Sequence, residues 1–389
     1  MHNDMSTQSR QEVLARLARR YVKAGPKHKR LLLDQAVELL GYHRKAAIRA
    51  LRGHKPNRAP ALLLGRPRKY HPERLLPVLK PIWFASFQPC GSRLHALLPE
   101  WLPAYEADHR SVDADTRDLL LQASPRTLER LLSPLRAQWR RRSATRPGSL
   151  LKQSIPIRGL WDEQGPGWLE MDTVALCGGH LDDRHLWMLD AVDINTHWTE
   201  QRALENRGQY STLLQIQDME QSLPFPVRGV DTDNGGEFLN HHLVRYFQLR
   251  DEPVLFTRAR AYHKNDNANV EQRNWTHVRQ HFGYERYDNP AVVPLINQLC
   301  RGPLGQLLNH FLPTHKLESK RRLQNRTVRV YPPAQTPYAR VMAAAEVTSQ
   351  TKKQLKQLHS TLNPFQLVRD IETAKKEINA RRLLCSRGA

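Results

Sequence analysis

The 389-residue chain is long enough for two to four domains at roughly 100–200 residues each, and its 40% hydrophobic residues allow sizeable cores. Sixty Lys and Arg against 38 Asp and Glu leave a net charge of +22, which points to a polyanionic partner, either nucleic acid or an anionic membrane surface. Composition argues against a disordered tail protein, against a membrane span, against an exported chain (Met1–Val13 has no apolar signal core) and, with Cys90, Cys177, Cys300 and Cys385 far apart, against a disulfide framework or cysteine-rich zinc finger.

The charge is uneven: +17 over 1–150, −7 over 151–290 and +12 over 291–389. Two basic regions flank an acidic middle. Either these are solvated surfaces, or basic arms hold DNA around a centre whose acids have another task. The expected divisions are an N-terminal helix-turn-helix (1–58), a basic linker (59–70), a second helical DNA-binding region (71–150), a catalytic domain (151–290) and a basic C-terminal region (291–389).

Residues 10–53 read as three helices. Gly41, in a short turn between the second and third, gives the helix-turn-helix pattern. The exposed face of the third helix then carries Arg44, Lys45 and Arg49 toward a major groove; an ordinary helical hairpin with basic solvent contacts is the alternative. In the linker, Gly65-Arg66-Pro67-Arg68-Lys69 is similar to the core of an AT-hook, a narrow extended segment that fits a minor groove. Residues 71–140 are again helical. Ser124 as N-cap and Pro125 at the first helical position start a helix that exposes Arg126 and Arg130, a second helix-turn-helix or a helix that only packs on its neighbours.

From about residue 155 the period changes. WLEMDTVAL, HLWMLDAVDI and HWTEQRAL are strand-like, the first two joined by the turn CGGHLDDR. A helix (QYSTLLQIQDMEQSL), a strand (VRGVDTD), a helix (EFLNHHLVRYFQL), a strand (VLFTRA) and a helix (NANVEQRNWTHVRQHFG) follow. This order predicts an α/β mixed sheet with helices. After 291 the chain is basic and proline-broken, ending in two helices over 351–362 and 364–384 that either hold DNA or pack against another protomer.

Three acids stand out in the middle region. Asp172 sits inside a hydrophobic strand, and burying an unpaired carboxylate costs several kcal/mol, order of magnitude. Asp233 ends a strand before Asn234-Gly235-Gly236; Asp231, two residues earlier on the same strand face, is its rival, and Asp233 is preferred because it lies nearer the carboxyl end of the strand. Glu271 falls on the apolar arc of its helix with Trp275, Val278 and Phe282. Three carboxylates without a matching cysteine–histidine set suit hard cations, magnesium or manganese. Two such ions can clamp an in-line phosphoryl displacement without a covalent protein–DNA intermediate.

WLEMDTVAL, VDTDNGGEF and NDNANVEQRNW together resemble the three motifs of the DDE transposase and retroviral-type integrase catalytic core. The likeness covers about 155–290, and the N-terminal helical region is similar to that of bacterial insertion-sequence transposases. It implies a ribonuclease H-like core with Asp172, Asp233 and Glu271 as the metal-binding triad and two Mg2+ (or Mn2+) as cofactors. The 37 residues between Asp233 and Glu271 slightly exceed the family's usual spacing. Where the family often has a basic residue two turns after the glutamate, this chain has Val278, with Arg279 beside it as a DNA contact. The His-His-Cys-Cys zinc domain of retroviral integrases is absent from the sequence.

Lesser candidates have structural alternatives. Cys177, His180 and His185 form half a zinc site or a hairpin turn. His241 and His242 belong to a helix, on its surface or in core packing. Lys264 meets a phosphate or solvent. Trp275 stacks on a base or, better, joins the core. Glu237 approaches the site or sits in a helix's first turn. The implied function is metal-dependent cleavage at element ends and strand transfer of the 3′-hydroxyl into target DNA. The expected partner is double-stranded DNA, at element ends and target; no membrane is involved. A cytoplasmic, nucleoid-associated homodimer or larger assembly follows, because two ends must be joined. The rivals are a catalytically silent DNA-binding regulator derived from a transposase and a ribonuclease acting on RNA–DNA hybrids. Tyrosine or serine recombination is disfavoured, since no nucleophile motif stands out.

Overall fold

A computed structural model of the chain describes residues 5–53, 69–138, 165–179, 184–232, 237–238, 241–258, 274–323 and 326–383. The chain divides into two units, Met1–Lys69 and Tyr70–Ala389.

The first unit contains α1 (Thr7–Lys23), α2 (Pro26–Leu40) and α3 (Arg44–Gly53). Ser6 caps α1 by accepting the Ser9 N–H, and Pro26 starts α2 where a missing N–H costs nothing. Gly41 closes α2 in the left-handed region at φ 68°, a conformation that glycine adopts without a Cβ clash. Leu17, Tyr21, Leu32, Leu33, Ala36, Ala47 and Leu51 bury one small core among the three helices.

The second unit begins with four helices: α4 (Pro72–Ala85), α5 (Gly91–Asp108), α6 (Ala114–Gln122) and α7 (Pro125–Gln138). Ser124 starts α7 as the sequence predicts, its hydroxyl accepting the Thr127 N–H at 3.3 Å. A five-stranded sheet follows, made of β1 (Trp168–Ala175), β2 (Trp187–Asp193), β3 (Thr199–Leu204), β4 (Gly229–Thr232) and β5 (Leu255–Arg258), in the order β3-β2-β1-β4-β5. β1, β2 and β3 are antiparallel neighbours, whereas β1, β4 and β5 run parallel. The expected mixed α/β sheet is present. Between β3 and β4 lies α8 (Gln209–Ser222), and between β4 and β5 lies α9 (His241–Gln248).

The described part of the next helix, α10, is a wide turn, Asn274–Arg279, continued by Gln280–Phe282. Val278 and Phe282 are buried as the apolar arc predicts, but Trp275 is 42% exposed. Placing Trp275 in the core is therefore corrected. A π-type turn carries more than 3.6 residues, so a projection at 100° per residue puts Trp275 on the wrong side.

Beyond α10 the structure adds elements that the sequence left unassigned. α11 (Val293–Leu299) continues through the wide turns Cys300–Leu304 and Leu307–Phe311, where Gly302 and Pro303 break the ordinary helical period. β6 (Ser319–Leu323) and β7 (Arg326–Val330) form an antiparallel hairpin. Then come α12 (Pro337–Ala343) and the two expected terminal helices, α13 (Ser349–Thr361) and α14 (Pro364–Arg381). No helix of the described residues is long and apolar enough to cross a membrane.

The two sheet faces are covered differently. Leu169, Met171, Leu189, Ala191 and Val230 meet α8 and α9 through Ile216, Met219, Leu243 and Phe247. On the other face Val174, Met188 and Ala203 join a large core with α4–α7, α10, α11 and α14. Phe365, Leu367, Ile371 and Ile378 of α14 are buried in it, so the last helix packs within its own unit.

Candidate active site

Alternation along β1 sends Met171 and Thr173 to the face under α8 and α9, and Glu170 and Asp172 to the opposite face. The register fills that second face with acids. Asp190 of β2 lies opposite Asp172, and Asp231 of β4 lies opposite Glu170. Glu170, Asp190 and Asp231 are buried, while Asp172 is half-buried.

Buried carboxylates need donors, and this face supplies them. Asp172 Oδ1 accepts the Thr173 N–H at 2.7 Å, and Oδ2 accepts Asn274 Nδ2 at 2.5 Å. The second bond ties β1 to α10 across 102 residues of chain. Asp231 Oδ1 accepts the Thr257 hydroxyl at 2.7 Å. Asp190 Oδ1 accepts from Gln201 Nε2 at 3.1 Å and the Thr199 hydroxyl at 3.4 Å, with His277 Nδ1 of α10 at 3.8 Å. Asp190 Oδ2 has no hydrogen-bond partner among the described residues.

Two of the three expected metal ligands, Asp233 and Glu271, lie outside the described residues, as do Lys264, Arg66 and Arg68. The frame around the first pair is described. Met171 pairs with Thr232 in the parallel register, and these are the residues immediately before Asp172 and Asp233. Among the described residues no three His, Cys, Asp or Glu side chains converge as a metal-ligand set. The donor chemistry at Asp172 nonetheless suits a hard cation. An ionised carboxylate offers about four acceptor sites and oxygen ligands of the kind hard cations favour.

The lesser candidates resolve in several directions. Glu237 is buried and belongs to the other face, accepting the Thr173 hydroxyl at 2.8 Å and Arg207 Nη1 at 3.3 Å. Glu237 lies in a turn, and the described helix begins at His241. Cys177 forms an isolated β-bridge with Arg286, and His185 is buried against the Trp187 ring. His180 lies outside the described residues; His242 is exposed.

The predicted DNA contacts also separate. Arg44, Lys45 and Arg49 are exposed on α3, opposite buried Ala47 and Leu51, but Arg44 is paired with Asp34. Lys69 is exposed, as are Arg126 and Arg130 on α7. Arg279 is half-buried: Nη2 donates to the Ala175 carbonyl at 2.8 Å, and the guanidinium lies over the Tyr284 ring. Burial holds its pKa below the ordinary arginine value.

Sequence reasoning assigned no role to two side chains that this geometry brings forward. Asn274 closes the NVEQRN stretch, and its place in the motif was the available signal. Asp190 stands in the apolar run LWMLDAV, so the argument made for Asp172 applies equally to it.

No family model matches the chain. The crystal structure of the catalytic core domain of BIV integrase is similar over 45% of this chain and 93% of that one, at 16% identity and a TM-score of 0.27, a likeness too slight to carry an argument. An uncharacterized protein of Sinorhizobium fredii, y4rM, is 34% identical over 352 residues, spanning 87% of this chain and 97% of its own length. On that likeness, the chain belongs to the same family as the y4rM protein.

Proposed function

We propose that the chain is a DDE-type DNA transposase with a ribonuclease H-like core, in which Asp172, Asp233 and Glu271 hold two Mg2+ or Mn2+ ions. The observation that carries this reading is the bond from Asn274 to Asp172, which joins the first and third motifs at one carboxylate. The pairing of Met171 with Thr232 supports the second motif as their neighbour. Complete burial of Asp231 against Thr257 favours Asp233 over Asp231 as the accessible ligand. The strand order, with three antiparallel strands followed by two parallel ones, is consistent with such a core.

The bound ions would activate the attacking oxygen and stabilise the leaving oxygen of an in-line phosphoryl displacement. The chain's own residues orient and exclude. Asn274 holds the Asp172 carboxylate in one rotamer, and the aliphatic packing of Val174 and Met188 behind it keeps one side of the site dry. Exposed Lys45 and Arg49 on α3, with Arg126 and Arg130 on α7, bind duplex phosphates and element ends. Two ends must be joined, so the working form is a homodimer or larger.

Incubation with duplexes carrying candidate end sequences and Mg2+, followed by mapping of nicks, tests the reading. Strand-specific nicks with free 3′-hydroxyls, then joined products, are expected. Glu271→Gln should abolish both while leaving DNA binding intact; persistent nicking by that variant would overturn the assignment. A trapped covalent adduct between protein and DNA would replace it with a nucleophile mechanism.

A further inference from the structure

A second polar site lies within the Tyr70–Ala389 unit. A cavity of about 140 Å³ is walled by the turn after α4, by Arg93 of α5, by the turn before β3, by α10 and by the segment 312–315. Its volume equals the liquid share of about four to five waters. No carboxylate lines it; Arg93, His197, His277, Thr314 and His315 do. Among the described residues, Asp190 lies behind these groups at 3.8 Å from His277 Nδ1, and Asp193 lies behind the His197 turn.

The cationic lining is built rather than incidental. Arg93 Nε donates to the Pro313 carbonyl at 2.5 Å, and no ion pair with an acid is formed by Arg93 among the described residues. Burial depresses its pKa by desolvating the charged form. Behind the wall Arg340 donates to the Thr314 hydroxyl at 2.7 Å and to the Thr314 carbonyl at 2.6 Å, and its pKa falls to about 10 for the same reason. His197 Nδ1 is 2.9 Å from the Thr314 hydroxyl, and His315 Nε2 is 2.8 Å from the Ser92 hydroxyl.

Backbone conformation singles out the same place. Among the described residues, the non-glycine residues at positive φ are Phe87, Gln88 and His197. Phe87 and His197 both line this cavity. Such conformations persist where surrounding structure holds them, and they cluster at ligand sites. At His197 the holding group is Asp193. Its carboxylate accepts the N–H groups of Gly167, Trp168, Asn195 and Thr196 and the Thr196 hydroxyl, which fixes the turn. At Phe87 the carbonyl accepts Gln280 Nε2 of α10 at 3.1 Å.

We propose that this cavity binds one phosphate-class oxyanion, with the Arg93 guanidinium as its charge partner and the His197, Thr314 and His315 side chains as its polar lining. A planar guanidinium fork matches phosphate oxygens, and an anion supplies the missing counter-charge. The cavity adjoins the carboxylate face at Asp190 through Thr199 and His277, but the proposed ligand set contains no acid and needs no metal, so its test is distinct from that of the catalytic proposal.

The test uses the full chain without divalent metal. Inorganic phosphate is titrated by calorimetry at constant ionic strength maintained with chloride. Saturable one-to-one binding is expected, and Arg93→Gln should weaken it at least tenfold, whereas Lys353→Gln on exposed α13 should change it less than twofold. Circular dichroism confirms that the variants are folded; if Arg93→Gln is not, Arg93→Lys, which retains charge but loses the fork, should still weaken binding several-fold. Absence of saturable binding to the wild type, or equal binding by Arg93→Gln, overturns the proposal. Repeating the titration with saturating 20-base-pair duplex separates the sources. Lost phosphate binding identifies a DNA backbone phosphate as the occupant, and unchanged binding identifies a free anion.

Discussion

The two faces of the five-stranded sheet are made from the same strands and could hardly differ more. Toward α8 and α9, Leu169, Met171, Leu189 and Val230 form a dry aliphatic layer. Toward α10, the alternate residues of β1, β2 and β4 supply Glu170, Asp172, Asp190 and Asp231. Neighbouring carboxylates repel and desolvating them is costly, and on this face the cost is offset by donors from Thr173, Asn274, Thr257 and Gln201. One face is buried by apolar packing, and the other combines the Val174, Met188 and Ala203 core with hydrogen-bonded carboxylates.

Four substitutions sharpen this contrast or break it. The largest effect is expected for Asp172→Asn, which should lower Mg2+-dependent nicking roughly 10³-fold or more while the melting temperature stays level or rises, because one of the crowded charges is gone. A large loss of stability would mean that the acid face is structural. Met171→Ala, one residue away on the aliphatic face, should do the reverse. Removing that buried side chain costs about 2–5 kcal/mol, read as a lower denaturation midpoint in urea, with nicking per folded molecule preserved. Asn274→Ala comes next. As an orienting partner of Asp172 it should reduce activity or Mn2+ affinity about tenfold; wild-type metal dependence would show that the bond to Asp172 is idle. The smallest effect belongs to Arg49→Gln on the separate N-terminal unit, which should lower the slope of log affinity against log salt by about 1 and leave the nicking rate at saturating DNA unchanged.

The strands of the sheet were legible because their signal is local. Leu169, Glu170, Met171 and Asp172 alternate apolar and acidic, a short apolar run follows over 186–192, and the Gly-containing turn at 177–184 predicts a hairpin. Ser124-Pro125 likewise announced α7. Trp275 was misplaced because a wide turn changes the helical phase, and residue identity alone does not encode which turn type tertiary packing selects. The segment 291–330 stayed unread for a related reason: Gly302 and Pro303 disrupt the period that would have revealed α11. Of the candidate site, Asp172 was legible as a charge in an apolar strand. Asp190 carried the same signal and was passed over, since its significance depends on the antiparallel register that sets it opposite Asp172. Arg93 and His315 are 222 residues apart in sequence, and only the fold makes them neighbours.

The shared core of the second unit has a practical consequence. Trimming the gene to residues 151–290, the span that carries all three motifs, would strip α4–α7, α11 and α14 from Val174, Met188, Val278 and Phe282. That fragment would emerge with a bare greasy flank and precipitate when expressed, while one running from Tyr70 to the end should stay in solution.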